Sequence, residues 1–191
     1  MAATGHYFPG MNVFVTRHFR LGDATHREER AVVVRVESLG GGHVGVAIRN
    51  LSLLPKHVLF ICVGNACRSP MAEALARRLA PDAITASSAG LAPLGYISSH
   101  TSAVLAEIGI SSAGQKSKPL GAQDVVAQDL LINMAGRPVE KIMNAPPPVE
   151  YWDIADPFGR DLAVFRSTRD EIKRRVLELA NRLRASATKP R

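Results

Sequence analysis

"VLFICVGNACRSPMAEAL" (residues 58–75) passes from an apolar run, through a turn holding two cysteines, a glycine, an asparagine and an arginine, into a helix-forming stretch. Val58, Leu59, Phe60 and Ile61 read as a buried parallel strand that delivers Cys62 to the carboxyl edge of a sheet, where open α/β folds place their ligand sites. Ser69 and Pro70 predict a helix start, an N-cap followed by a first-turn proline. Residues 62–69 then form a loop curled at a helix N-terminus, with successive backbone N–H groups turned inward as an oxyanion cradle. Gly64 lets the backbone bend, and Asn65 tolerates a left-handed conformation or braces the loop with its amide. Arg68 offers a planar fork that matches two oxygens of a tetrahedral anion. A thiolate is stabilised at a helix N-terminus beside arginine, so one loop supplies both a nucleophile, Cys62, and an anion receptor.

Working outward from this stretch, strands at 57–63, 83–88, 129–134 and 149–154 alternate with helices at 70–79, 98–108, 122–127, 139–144 and 161–185. This alternation predicts an α/β fold, an open four-stranded parallel sheet with helices on both faces. In the last helix Leu162, Phe165, Ile172, Val176, Leu179 and Leu183 fall on one stripe, the pattern of a helix packed on a sheet. Before Pro55 the character changes. "MNVFVTRHF", "RAVVVRVESL" and "HVGVAIRNL" are short, valine-rich and partly alternating, and the glycines at 40–42 join the last two as a hairpin would. The chain therefore reads as a small β-rich N-terminal extension, residues 1–55, ahead of a domain at 56–191.

Composition narrows the function classes. A chain of 191 residues that is 46% hydrophobic can build one ordinary core with an appendage. Its longest apolar runs fall well short of the roughly 20 residues of a membrane span, and its start lacks the basic and apolar regions of a secretory signal. A cytoplasmic location is expected. Two cysteines with so short a separation make no disulfide framework and read as thiols. The six histidines are scattered without ligand spacing, so neither a metal nor another cofactor is expected. The net charge of +7 and pI near 9.9 come from basic residues spread over the N-terminal segment and the last helix, with few aromatics between them. That fits a solvated helix face and argues against a nucleic-acid partner, while the positive field would draw in an anionic substrate.

The string C-x-G-N-x-C-R-S-P after an apolar strand is not the nucleotide P-loop, which needs G-x-x-x-x-G-K-[ST]. Together with "SSAGL" (87–91), "GISSAGQKSKPL" (109–120), "DLLINM" (129–134) and "WDIADPFG" (152–159), it resembles the low-molecular-weight protein tyrosine phosphatase family, which includes bacterial protein-arginine phosphatases and arsenate reductases. The resemblance covers residues 56–183. It implies that Cys62 attacks phosphorus and forms a phosphocysteine, and that Arg68 with the amides of Val63, Gly64, Asn65, Ala66 and Cys67 holds the phosphoryl oxygens. It also implies that the Ser69 hydroxyl stabilises the thiolate and that Asn65 braces the loop. Asp156, in the D-P pair, is implied as the general acid that protonates the leaving group and then activates water, with Asp153 as its competitor. Cys67 has two readings: a partner for Cys62 in a reversible protective disulfide, as in related enzymes, or a small buried residue under the loop.

The implied activity is hydrolysis of phosphotyrosine on a phosphorylated protein substrate. Three departures bear on substrate choice: Ala66 where relatives carry a bulky aliphatic residue or a threonine, Phe158 followed by Gly159 rather than a second aromatic, and a short loop at 91–96 in which Tyr96 can stack. "STRDEI" (167–172) after "DPFG" is similar to the arginine-phosphatase and arsenate-reductase branches. The absence of any cysteine after Cys67 disfavours an internal thiol relay, which leaves arsenate reduction with an external thiol as an alternative beside arginine dephosphorylation. A phosphate or phosphoprotein sensor that binds without turnover is the non-enzymatic alternative. Residues 31–51 faintly resemble the closing strands of a PilZ domain but lack its arginine pair and D/N-x-S-x-x-G motif, so no nucleotide binding is expected there.

Overall fold

The computed structural model describes residues 9, 11–17, 27–40, 43–50, 55–121, 125, 127–139 and 147–188. The chain divides into two compact units, residues 1–54 with 184–191 and residues 55–183. In the first unit β1 (Asn12–Arg17), β2 (Arg27–Gly40) and β3 (His43–Asn50) form an antiparallel sheet in the order β1-β2-β3. Gly40 pairs with His43, the hairpin closure that the glycine run implies. Register shifts at Val33/Arg35 and Ser38/Gly40 mark irregularities in that ladder.

The second unit carries β4 (Lys56–Cys62), β5 (Ile84–Gly90), β6 (Leu130–Asn133) and β7 (Val149–Tyr151) in one sheet of order β5-β4-β6-β7, every pair parallel. Its described helices are α1 (Arg68–Leu79), α2 (Ser99–Ala106) and α3 (Leu162–Thr188). This is the α/β architecture expected from the alternating pattern. The chain starts in the middle of the sheet, adds β5 on one side of β4, then crosses to β6 on the other. The order therefore reverses at β4, and the crevice at its carboxyl end is where such folds bind ligands.

β4 is central because it is apolar on both faces. Val58 and Phe60 join Met71, Leu75, Leu105, Trp152, Phe165 and Ile172 in the main core, while Leu59 and Ile61 join Val125, Leu131 and Val139 on the opposite face. All four strand residues are fully buried, and such burial is worth about 1.5–3 kcal/mol per side chain. The stripe expected on the last helix is the buried one: Phe165, Ile172, Val176 and Leu179 lie in the main core, with Leu162 and Leu183 packed at its edge. The helices expected at 122–127 and 139–144 fall, apart from Val125, Ala127 and Val139, outside the described residues.

Most element boundaries shift by one to three residues from the sequence reading, and two of the shifts bear on the site. α1 begins at Arg68 rather than at Pro70, with Cys67 as its N-cap residue, and the first backbone bond of the helix runs from Met71 N to Cys67 O at 3.0 Å. Ser69 is thus inside the first turn and is not the cap. β7 ends at Tyr151 rather than at residue 154: Trp152 N still bonds Asn133 O at 2.9 Å, but Ile154 turns its carbonyl to Arg68.

Candidate active site

Four parallel strands bring their carboxyl ends together, and the loops leaving them converge on residues 62–69. The carbonyls of this loop are occupied from outside. Cys62 O accepts from Leu91 N (3.1 Å), Val63 O from Ala92 N (2.9 Å), Gly64 O from Leu94 N (3.0 Å) and Ser117 Oγ (3.1 Å), and Ala66 O from Ser98 N (3.0 Å) and Thr101 Oγ1 (3.0 Å). Among the described residues no acceptor takes the N–H groups of residues 64–69. A loop with its carbonyls bonded outward and its amides unclaimed is an anion cradle, and two of those amides, of Arg68 and Ser69, open the first turn of α1.

The loop's curvature is set at Asn65, whose φ of 44° puts it in the left-handed region that asparagine tolerates. Its fully buried carboxamide uses every polar atom: Nδ2 donates to Ser69 Oγ (2.8 Å) and Ser88 Oγ (2.9 Å), and Oδ1 accepts from Lys118 N (2.8 Å). Asn65 therefore does both things that its residue type suggested, adopting the turn and bracing the loop. Gly90, at the end of β5, lets the loop lie close; a Cβ there would stand 2.7 Å from Val63 O and 2.9 Å from Asn65 N.

Cys62 ends β4 with 2% of its surface exposed, and its Sγ lies 3.0 Å from Ser69 Oγ. Because Asn65 already donates to Ser69 Oγ, the serine's own proton is free for the sulfur; Ala89 O at 3.4 Å is the longer alternative. Arg68, buried at 6% exposure, is anchored through Nη1 to the carbonyls of Met134 (2.8 Å) and Ile154 (3.2 Å). Its Nη2 pairs with Asp156 Oδ2, and its buried Nε meets no acceptor among the described residues. The anchored guanidinium thus keeps its Nε–Nη2 edge as the fork for two anionic oxygens.

Asp156 sits about half exposed beside Arg68, and its Oδ1 accepts from Phe158 N at 3.2 Å across Pro157. Asp153 is exposed, and its carbonyl accepts from Arg175 at 3.2 Å. Of the two acids, the structure brings Asp156 to the arginine. Ala66 and Cys67 are buried under the loop, whereas Val63 and Gly64 are partly exposed. Burial pushes the Cys67 thiol up to about 11, outweighing the opposite influence of the neighbouring Thr101 and Ser98 hydroxyls. Cys67 therefore stands as a neutral thiol, and neither cysteine is in a disulfide.

Sequence reasoning assigned no role to Ser88 or Glu73. Ser88 Oγ donates to Glu73 Oε2 at 2.6 Å, and Glu73 pairs with Arg77 at 2.5 Å. A signal was present: Ser69, Glu73 and Arg77 recur at i, i+4 and i+8 on α1, a polar row on a helix whose first nine residues are buried. Among the described residues no group of His, Cys, Asp and Glu is arranged to hold a metal ion, and no helix is long and apolar enough to cross a membrane.

Residues 57–189 match the family model of the low molecular weight phosphotyrosine protein phosphatases. Among curated relatives, the glutaredoxin arsenate reductase of Synechocystis sp. is 35% identical over 130 residues, 65% of this chain and 95% of that protein. The probable low molecular weight protein-tyrosine-phosphatase EpsP of Ralstonia nicotianae is 33% identical over 142 residues, 68% of this chain and 97% of that one. In structure, the YwlE arginine phosphatase from Geobacillus stearothermophilus aligns with a TM-score of 0.59 at 30% identity, over 69% of this chain and 94% of its own. With the matched segment running from the first strand of the parallel sheet to the last helix, the chain belongs to the low molecular weight phosphotyrosine protein phosphatase family.

Proposed function

We propose that the protein hydrolyses phosphotyrosine on proteins through a phosphocysteine. The Cys62 thiolate attacks phosphorus; the S–P bond forms as the bond from phosphorus to the tyrosyl oxygen breaks, and Asp156 gives its proton to that oxygen. Water then attacks the phosphocysteine, Asp156 takes its proton, and the S–P bond breaks to return the thiolate and inorganic phosphate. The amides of residues 63–69 and the Nε–Nη2 edge of Arg68 hold the equatorial oxygens throughout. The observation that carries this reading is the setting of Cys62: its sulfur lies 3.0 Å from a serine hydroxyl, at the base of a loop whose amides are unclaimed among the described residues and whose arginine pairs with Asp156.

An aromatic leaving group suits the surroundings. Phe158, two residues beyond Asp156, and Tyr96, in the segment that bonds the loop's carbonyls, are each 54% exposed. Each offers an exposed ring against which a phenol could stack. Turnover on a phosphotyrosine peptide, a phosphoarginine peptide and arsenate with an external thiol tests the assignment. The phosphotyrosine peptide should give the highest kcat/KM; a preference for either of the others would reassign the substrate.

A second reading, arsenate reduction, draws support from the 35% identity to an arsenate reductase. Both cysteines lie in the loop, so the thiol that completes such a reduction would come from another molecule. The sensor reading predicts phosphate binding without turnover. Cys62→Ser should abolish hydrolysis while phosphate still binds, and a wild-type protein that binds phosphate yet turns over none of the three substrates would favour the sensor.

A further inference from the structure

The carboxylate of Glu73 is 7% exposed, lies under the active-site loop and touches none of the groups assigned to the reaction. Its Oε1 pairs with Arg77, while Oε2 accepts from Ser88 Oγ at 2.6 Å and from Gln115 Nε2 at 3.0 Å. Gln115 Nε2 also donates to Pro70 O at 3.0 Å, so the amide's orientation is fixed by two acceptors. All three contacts leave Glu73 as an acceptor only, and an ionised carboxylate takes the proton of any hydroxyl set against it.

The consequence runs along a chain of buried groups. Ser88, having given its proton to Glu73, can only accept from Asn65 Nδ2. The second hydrogen of the same Nδ2 goes to Ser69 Oγ, and Ser69 then has its proton for Cys62 Sγ. We infer that Glu73 is a positioning residue for the nucleophile: through Ser88 and Asn65 it sets the direction of the hydrogen bonds that end on the sulfur. Asn65 Oδ1 is held by Lys118 N, so the carboxamide is gripped at both ends and the relay has no slack. This rests on the phosphatase reading for its effect on turnover, so its test includes a readout that needs no substrate.

Glu73→Met is the discriminating variant because it keeps length and volume while removing both acceptor oxygens. Arg77, more than half exposed, turns to water, while the buried Ser88 hydroxyl and Gln115 Nε2 lose their shared acceptor. The Ser88 proton is then no longer drawn away from Asn65 Nδ2 and meets it donor against donor. The rate of Cys62 alkylation by iodoacetamide at pH 7, followed on the peptide that carries it, should fall about tenfold, the effect of one hydrogen bond to a charged group. With an aryl phosphate, kcat should fall to a similar extent while competitive inhibition by inorganic phosphate is kept, because amides and Arg68 hold the anion.

Ser88→Ala should reproduce both losses, and Glu73→Met added to it should cost nothing more, since the link it acts through is gone. Unchanged alkylation in Glu73→Met, additive effects in the double variant, or a loss of phosphate inhibition in proportion to kcat would each overturn the inference. A wild-type protein without hydrolytic activity would instead remove the phosphatase reading and leave the alkylation comparison standing.

Discussion

Gly90 and Cys67 show how little room the nucleophile loop has. A methyl group at position 90 would press on Val63 O at 2.7 Å and on the Asn65 backbone, and neither is the free end of a flexible side chain. Gly90→Ala should therefore displace the loop, and a displacement of about 1 Å costs about a hundredfold in rate. The measurement is kcat/KM beside the thermal midpoint; an alanine variant with wild-type turnover would mean that the loop tolerates movement. Cys67 gives a prediction of opposite kind. Burial holds its thiol at about 11 against an ordinary 9.0, so above pH 9 the unfolded chain loses a proton that the folded one keeps. Its contribution is fully present below pH 9 and is lost as the pH rises toward 11. The urea midpoint of the wild type, relative to that of Cys67→Ala, should fall across that window; parallel curves would contradict the assignment.

At the scale of elements, β4 supports the site from beneath, and α3 shows which contacts matter less. Phe60 is fully buried, with its ring centroid 5.8 Å from that of Trp152. Phe60→Ala should cost about 3–5 kcal/mol in chemical denaturation. Arg174, paired with Glu171 and Glu178 on the exposed side of α3, should be replaceable by alanine with no change in midpoint beyond error, because solvent screens such pairs. β4, its turn and the start of α1 were legible in sequence because strand, thiol, glycine, arginine and proline follow one another within one short string. Ser69 was misplaced as a cap because its hydroxyl is committed to Asn65 and Cys62, a competition that local spacing does not reveal. The roles of Ser88, Glu73 and Gln115 were not legible for a related reason. Their contacts join α1 to β5 and to the segment at 110–120, and only packing brings those together.

For the whole molecule, charge is the relevant property. A net charge of +7 raises the local concentration of a dianionic substrate, and salt screens that attraction over about 10 Å at 0.1 M. KM for an aryl phosphate should rise with ionic strength while kcat stays nearly constant; a KM independent of salt would confine recognition to the cradle itself. The central claim is that phosphorus is transferred to one sulfur, and the fold serves it by gathering four strand ends around that atom. Acid-quenched mass spectrometry of the Asp156→Ala variant with an aryl phosphate tests this most directly, because loss of the acid and base slows release of the intermediate. The expected result is one phosphoryl group on the peptide containing Cys62 and none in Cys62→Ser. A phosphoryl group on any other residue, or undiminished turnover by Cys62→Ser, would contradict it.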